Sequence, residues 1–370
     1  MKKLGLLCTA ALLTLSLAAC SGNGGKQGGT DNNGGTANTG DKQLKVAIVL
    51  STGGLGDKNF NDMSYDGLTQ AKADFGIDFQ YVEPESASDF EAGYRQFADA
   101  GVYDLIIGLA TDQNDALTAV QADYPDQKFS IIDSSIELPN VSAVSTKWQE
   151  QTFLCGVYAG LGTLSEMPKA NADNVVGVIL GMDNPNLRSG VVGFEAGVKY
   201  VNPECEVLTA TVGSFNDSDK GKNIAMSMYN KGADFIQHIA GASGLGVFNA
   251  AKEADRYAFG VGGNQNAIEP DYIPATSIRN VNEMVYNEVK ALVEGTWTEG
   301  VKISGLKEEA VGYSNEFSNV EVPEDIAAAI ADIKAKIQSG ELVICETEGE
   351  LDSWVSSNQY TKEAENKLIL

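Results

Sequence analysis

Histidine is almost absent from these 370 residues, with His238 the only one. Zinc sites built on several histidines, and nucleophilic catalysis of the Ser-His-Asp or Cys-His kind, therefore have almost nothing to draw on. Cysteine is scarce too. The five cysteines include no CxxC pair, and beyond Cys8 and Cys20 near the start only Cys155, Cys205 and Cys345 are left. An odd number cannot complete a disulfide framework, so these three are expected to be buried small apolar residues. Basic residues are outnumbered, 26 against 51 acidic, for a formal charge of −25. Affinity for nucleic acid rests on neutralising phosphates with Lys and Arg. Nucleic acid is thus excluded as a partner, and the acids read as a solvated surface.

Long apolar runs are confined to the start. Met1-Lys2-Lys3 is short and positive, and Leu4 to Ala19 is apolar, broken only by small or weakly polar residues. This is the layout of a secretory signal. As a membrane span the run falls short of the roughly 20 apolar residues a bilayer needs, so cleavage is the better reading. Leu17-Ala18-Ala19-Cys20 resembles the lipobox of bacterial lipoproteins, in which the cysteine is acylated and becomes the new N-terminus. Two or three acyl chains, at about 0.8 kcal/mol per buried methylene, hold a protein on a membrane. Residues 1–19 are expected to be a signal peptide and 20–43 a lipidated tether, attached through Cys20 to the extracytoplasmic face of the cell membrane. Loss of Lys2 and Lys3 would take the formal charge to −27. From Ser21 to Lys42 no large apolar residue occurs. Such a stretch buries too little to offset its ordering entropy, and its typical reach is roughly 25 Å.

The rest is too long for a single core and suggests two lobes. Val46 to Leu50, Leu105 to Ile107, Phe129 to Ile132, Val175 to Leu180, Phe235 to Ile239 and Tyr257 to Val261 read as strands buried on both faces. Between them lie helical stripes such as Leu68, Ala71 and Phe75, or Leu117, Val120 and Tyr124. Strand and helix alternating this often predict an α/β chain of doubly wound parallel sheets. Ile326, Ile330, Ile333 and Ile337 recur at helical spacing after Pro323, and that helix is expected to cover a sheet face. Such sheets bind ligands at the carboxyl ends of their strands, so chemistry is expected in the loops that follow them.

The first such loop runs from Ser51 to Asp62 and is rich in glycine, but it fits neither GxxxxGK[ST] nor GxGxxG. Asp57 would repel a phosphate there, which favours a neutral hydroxylated ligand. Phe60, taken alone, reads as a core aromatic. Trp148 either walls a cleft or packs a hinge.

Several blocks, in one order, carry a specific resemblance: GGLGDKNFND from Gly53, YPDQKFSIIDSS from Tyr124, FLCGVYAG from Phe153, GVILGMDNP from Gly177, GFEAGVKYVNPE from Gly193, GSFNDSDKGKNIA from Gly213 and AGASGLGVFNAAKEADRYAFGV from Ala240. Over roughly residues 44 to 345 the chain resembles the basic membrane protein family of substrate-binding lipoproteins, which includes a purine nucleoside receptor. The resemblance implies a type I periplasmic-binding-protein fold of two lobes joined by a three-strand hinge, delivering its ligand to an ABC transporter permease. The expected lobes are 44–147 with 273–304 and 148–272 with 305–350, followed by a C-terminal tail, 351–370. A monomer without catalysis, cofactor or metal is implied.

In nucleoside-binding members two aromatics stack on the base and acidic residues hold its edge and the ribose. By motif position Phe60 and Phe215 match the aromatics. Asp57 and Asp133 match polar and acidic contacts, and Gly241 a backbone contact. Where the family often has an aspartate after the first strand, this chain has Ser51. Where it usually reads GVDSDQ, this chain reads Gly260 to Gln265 with Gly262 in place of the hydroxyl-gripping aspartate and Asn264 as its expected substitute. Arg279 stands for a family lysine, which favours a ligand with a carboxylate or more acceptors. The expected ligand is a nucleoside or nucleobase-like small molecule. The rivals are the same fold with a sugar or signalling ligand, a surface antigen without transport, and a carboxylate-based hydrolase. Against the hydrolase, no motif sets two carboxylates at a defined separation.

Overall fold

The structure is a computed structural model that describes residues 43–360. The expected signal peptide, Cys20 and nearly all of the expected tether lie outside the described residues. In chain order the strands are β1 (Lys45–Val49), β2 (Asp78–Val82), β3 (Leu105–Leu109), β4 (Phe129–Ile132), β5 (Val141–Thr146), β6 (Val175–Leu180), β7 (Glu206–Thr211), β8 (Ala233–Ile239), β9 (Tyr257–Gly262), β10 (Thr276–Arg279), β11 (Gly300–Ser304) and β12 (Val311–Ser314). The helices are α1 (Phe60–Phe75), α2 (Phe90–Ala100), α3 (Asn114–Gln121), α4 (Trp148–Gly162), α5 (Pro185–Val201), α6 (Ser218–Tyr229), α7 (Gly244–Ala254), α8 (Val281–Val293), α9 (Glu324–Ser339) and α10 (Glu348–Ser357).

Two six-stranded sheets form, β11-β5-β4-β3-β1-β2 and β12-β10-β9-β8-β6-β7. All pairings are parallel except β10 with β12. The expected α/β fold of two parallel-sheet lobes is what is found. Each sheet reverses its strand order beside its first strand, β1 or β6, and that reversal opens the crevice in which doubly wound sheets bind ligands. All six expected strands occur. Edge strands β2 and β7 are half exposed along their length, so they lack the fully apolar run that betrays a central strand.

The chain crosses between sheets after β5, after β10 and between β11 and β12. The second crossing therefore falls past Arg279 and not at the expected 273. Strand β10 belongs to the second sheet because it pairs with β9 and β12. Beyond it α8 returns to the first lobe and lies on α1. The approach is close enough that a Cβ on Gly67 would sit 2.4 Å from the Asn282 carbonyl.

Helix α4 is buried on nearly every residue, which its small residues allow. A Cβ on Gly156 would lie 2.1 Å from the Phe194 carbonyl, and one on Gly193 2.1 Å from that of Gln149. Helices α4 and α5 thus meet backbone to backbone, and this contact aims the start of α5 at the space between the sheets. The isoleucine stripe of α9 is buried as expected, but the helix packs chiefly on α4 instead of a sheet face. Tyr124 lies past the end of α3, which Leu117 and Val120 anchor. The expected tail is partly a helix of the second lobe: α10 seats Trp354 with its ring centre 5.8 Å from Phe153 and 5.7 Å from Tyr200. Cys155, Cys205 and Cys345 are free and buried. Among the described residues no helix is long and apolar enough to cross a membrane.

Candidate functional site

A cavity of about 610 Å³ opens between the lobes where strands of both sheets end, a volume suited to a small organic molecule. Ser51, Asp57 and Phe60 reach it from the loop after β1, Asp112 from the turn after β3, and Asp133 from the end of β4. From the other lobe come Met182 to Leu187 around the start of α5, Phe215, and Ala240 to Ala242 after β8. Trp148 and Arg279 close the hinge side.

The loop after β1 is shaped by one carboxylate. Asp57 Oδ1 accepts the backbone N–H of Asn59 and Asp62, and Oδ2 accepts the N–H and the Nδ2 amide of Asn61. These bonds satisfy the free donors at the start of α1 and turn Phe60 into the cleft. Burial pushes the Asp57 carboxyl above its usual range, against the pull of those amides. Asn61 in turn accepts the N–H and hydroxyl of Ser51. Ser51 and Asp57 line the cavity, and their polar atoms are engaged in holding the loop. Phe60 is half buried: one side packs on the core of the first lobe and the rest walls the cavity.

Asp133 follows β4 with a left-handed backbone, φ 64°. Its carboxylate pairs with the Arg279 guanidinium from the other sheet, and both side chains are buried. Burial pushes the Asp133 carboxyl up and the Arg279 guanidinium down, each opposed by the charge of its partner. The guanidinium carbon lies 4.0 Å from the centre of the Trp148 ring and 5.1 Å from that of Phe60, so the cation sits between two aromatic faces. Trp148 both packs the hinge and walls the cleft. One carboxylate oxygen of Asp133, Nε of Arg279 and Nε1 of Trp148 are buried without a hydrogen-bond partner, an uncommon state outside functional sites.

Phe215 lies over Gly181, where a Cβ would fall 2.4 Å from its ring. Gly241 has φ 55°, and a Cβ there would come within 3.2 Å of the Phe215 carbonyl. Two glycines thus make room for one cavity aromatic. Asn264 is a correction. Its side chain turns away to Ser314 and to the backbone of Glu316 and Asn266, and it does not line the cavity. It serves to bind the end of β9 to β12. Gly262 has a physical reason as well: a Cβ there would lie 2.0 Å from Asn59 Oδ1. Asn59 and an acid at 262 exclude one another in this arrangement.

The lobes also touch directly. Asn186 Nδ2 donates to the Asp133 carbonyl at 3.0 Å, and Gln265 Nε2 to that of Lys58 at 3.4 Å. Asp112 and Asn186 were not singled out from sequence. Both follow segments that read as strands, so the rule that ligands meet strand ends marks their loops. Among the described residues no group of His, Cys, Asp and Glu is disposed to hold a metal ion.

Known proteins resemble this chain in sequence and in architecture. The family model described as ABC transporter substrate-binding protein PnrA-like (Bmp) matches residues 44–347. An uncharacterized lipoprotein of Pyrococcus abyssi is 34% identical over 327 residues, 85% of this chain and 77% of its own. A Lactococcus lactis protein named ABC transporter nucleoside-binding protein BmpA is 29% identical over 313 residues, 78% of this chain and 87% of its own. A solved ABC transporter solute-binding protein from Aeropyrum pernix K1 superimposes with a TM-score of 0.75 at 28% identity, covering 84% of this chain and 96% of that one. With two parallel-sheet lobes around a shared cleft, the chain belongs to the Bmp family of PnrA-like ABC transporter substrate-binding proteins.

Proposed function

We propose that this protein is an extracytoplasmic lipoprotein, anchored through Cys20, that captures a nucleoside in its cleft and presents it to an ABC transporter permease. The observation that carries the reading is the pair of aromatics Phe60 and Phe215, which face the same cavity from opposite lobes. A flat heteroaromatic base offers each a large face, and such stacking contributes about 1 to 3 kcal/mol per base in nucleic-acid complexes. A ligand that touches both lobes favours the closed population over the open one, because only the closed form makes both sets of contacts.

Further support comes from the polar groups. Asp133, Arg279 and Trp148 line the cavity on the side where Arg279 meets Phe60 and carry both donors and acceptors, so a base with both kinds of group suits that corner. The Lactococcus relative is named for nucleoside binding. The leader and Leu17-Ala18-Ala19-Cys20 support export and lipidation, and relatives in Pyrococcus are named lipoproteins. The protein works as a monomeric carrier without catalysis.

Calorimetric titration with adenosine, guanosine, inosine, ribose and galactose tests the ligand class. Heat from nucleosides is expected. Heat from the sugars alone would defeat the nucleoside reading and leave the family assignment standing.

A further inference from the structure

Four aspartates line the cleft, and three are committed within the protein. Asp57 holds the start of α1. Asp133 is paired with Arg279, and Asp183 is gripped by two nitrogens of Arg188. Asp112 differs. Among the described residues its carboxylate forms no ion pair and no hydrogen bond to another residue's side chain.

The turn that carries Asp112 is held firmly. Ala110 leaves β3 with φ 69°, a conformation a non-glycine residue adopts only when its surroundings impose it. Gln113, one residue past Asp112, is fully buried. Its Oε1 accepts from the Tyr94 hydroxyl and the Leu109 N–H, and its Nε2 donates to the carbonyls of Val49 and Leu50. Three of these bonds clamp the turn to the ends of β1 and β3, and the fourth ties it to Tyr94 of α2. The sheet order β4-β3-β1 sets Asp112 between Asp133 on one side and the Phe60 loop on the other.

We propose that Asp112 is a specificity-determining residue whose carboxylate accepts the 2′ and 3′ hydroxyls of a bound nucleoside's sugar. The proposal rests on the nucleoside reading above and assigns the sugar contact within it. Vicinal hydroxyls are neutral donors, and a carboxylate with free lone pairs takes two of them in charge-assisted bonds. On the opposite lobe the one cleft aspartate, Asp183, is taken up by Arg188, and Asn59 occupies the space into which a side chain at Gly262 would grow. Arg279 is held by Asp133 and presents donors, so it cannot accept a hydroxyl proton. Asp112 is exposed to solvent in the cleft, the protein around it pushes its carboxyl up to about 6, and a ligand hydroxyl there would replace water and not a protein partner.

The test uses the full chain as wild type, Asp112→Asn and Asp112→Ala, titrated at pH 7.5 with inosine, 2′,3′-dideoxyinosine and hypoxanthine. The wild type is expected to prefer inosine to the dideoxy compound by tenfold or more. Both variants should lose that preference, while their affinity for dideoxyinosine stays within twofold of wild type. Unchanged inosine binding by the variants, or an equal loss for inosine and dideoxyinosine, overturns the role of Asp112 and leaves the nucleoside reading intact. A wild type that binds none of these, nor adenosine or guanosine, overturns both. Matching thermal unfolding midpoints establish that the variants are folded.

Discussion

Arg279, the last residue of β10, forms a buried ion pair with Asp133, the first residue after β4, and so joins the two sheets across the cleft. The pair is a buried electrostatic tie between the lobes, and the guanidinium rests against Trp148 and Phe60. Removing one partner of such a pair leaves an uncompensated buried charge, which typically costs about 3 to 5 kcal/mol. Arg279→Met should therefore be strongly destabilised at pH 7 in a denaturant titration. The deficit should shrink at pH 5, because a solitary buried carboxyl takes up a proton readily. Adding Asp133→Asn should recover most of the loss, since asparagine tolerates the left-handed backbone at this position. A double variant as unstable as the single would refute the account.

Phe60→Ala removes an aromatic wall while sparing the loop's hydrogen bonds, which belong to Asp57 and Asn61. Nucleoside affinity should fall by about 1 to 3 kcal/mol, roughly five- to 150-fold, measured by calorimetry. Affinity for a free sugar should hardly change. Equal losses for both ligand classes would remove the stacking argument.

Restoring the family's acid at 262 should fail. Gly262 has φ 81°, and its Cβ would overlap Asn59 Oδ1, so Gly262→Asp combines backbone strain of order 1 to 3 kcal/mol with a steric clash. The variant is expected to bind ligand less tightly than wild type. Shortening Asn59 to Gly in the same chain should return part of the affinity, which a titration of the four combinations would reveal. A single Gly262→Asp that binds more tightly than wild type would show that Asn59 yields easily.

His238 is fully buried, bonded through Nε2 to Gln265 Oε1 at 3.2 Å, and burial lowers its pKa to about 4 from 6.5. The unfolded chain gains a proton on this histidine as pH falls through 6.5, and the folded chain does so only near 4. Stability is therefore lost between those values, by about 3 kcal/mol in all from this group. His238→Gln lacks that dependence. Its stability deficit relative to wild type should be largest near pH 7.5 and smallest near pH 4.5, as followed by denaturant melts across the range. A deficit that is constant with pH would show that His238 protonates freely in the folded state.

Central strands such as β3 and β6 were legible because burial on both faces demands unbroken aliphatic runs, and short runs of that kind survive in the one-dimensional pattern. Strands β2, β7 and β11 were not, since an edge strand mixes exposed and half-buried positions. Phe60, Phe215, Asp133 and Arg279 were found through motif positions and do face the cavity. Asn264 failed because a side chain two residues along an ending strand points elsewhere, and Ser314 and Glu316 engage it first. Asp112 escaped notice because nothing local distinguishes an exposed aspartate that lines a cleft from one on any other surface.

Periodicity and composition by themselves determined the α/β class and the burial of the three cysteines, and the ordered motif blocks from Gly53 to Val261 marked the family. The first two follow from which residues are apolar and how they are spaced, and spacing is a property of the chain alone. Tertiary structure decided where the second crossing falls, that Arg279 pairs with Asp133 from the other sheet, that the Asn59 side chain fills the space beside Gly262, and which of four cleft aspartates no other side chain engages. Each of those depends on groups far apart in sequence meeting within a few ångströms, and only the packing of one sheet against the other brings them there.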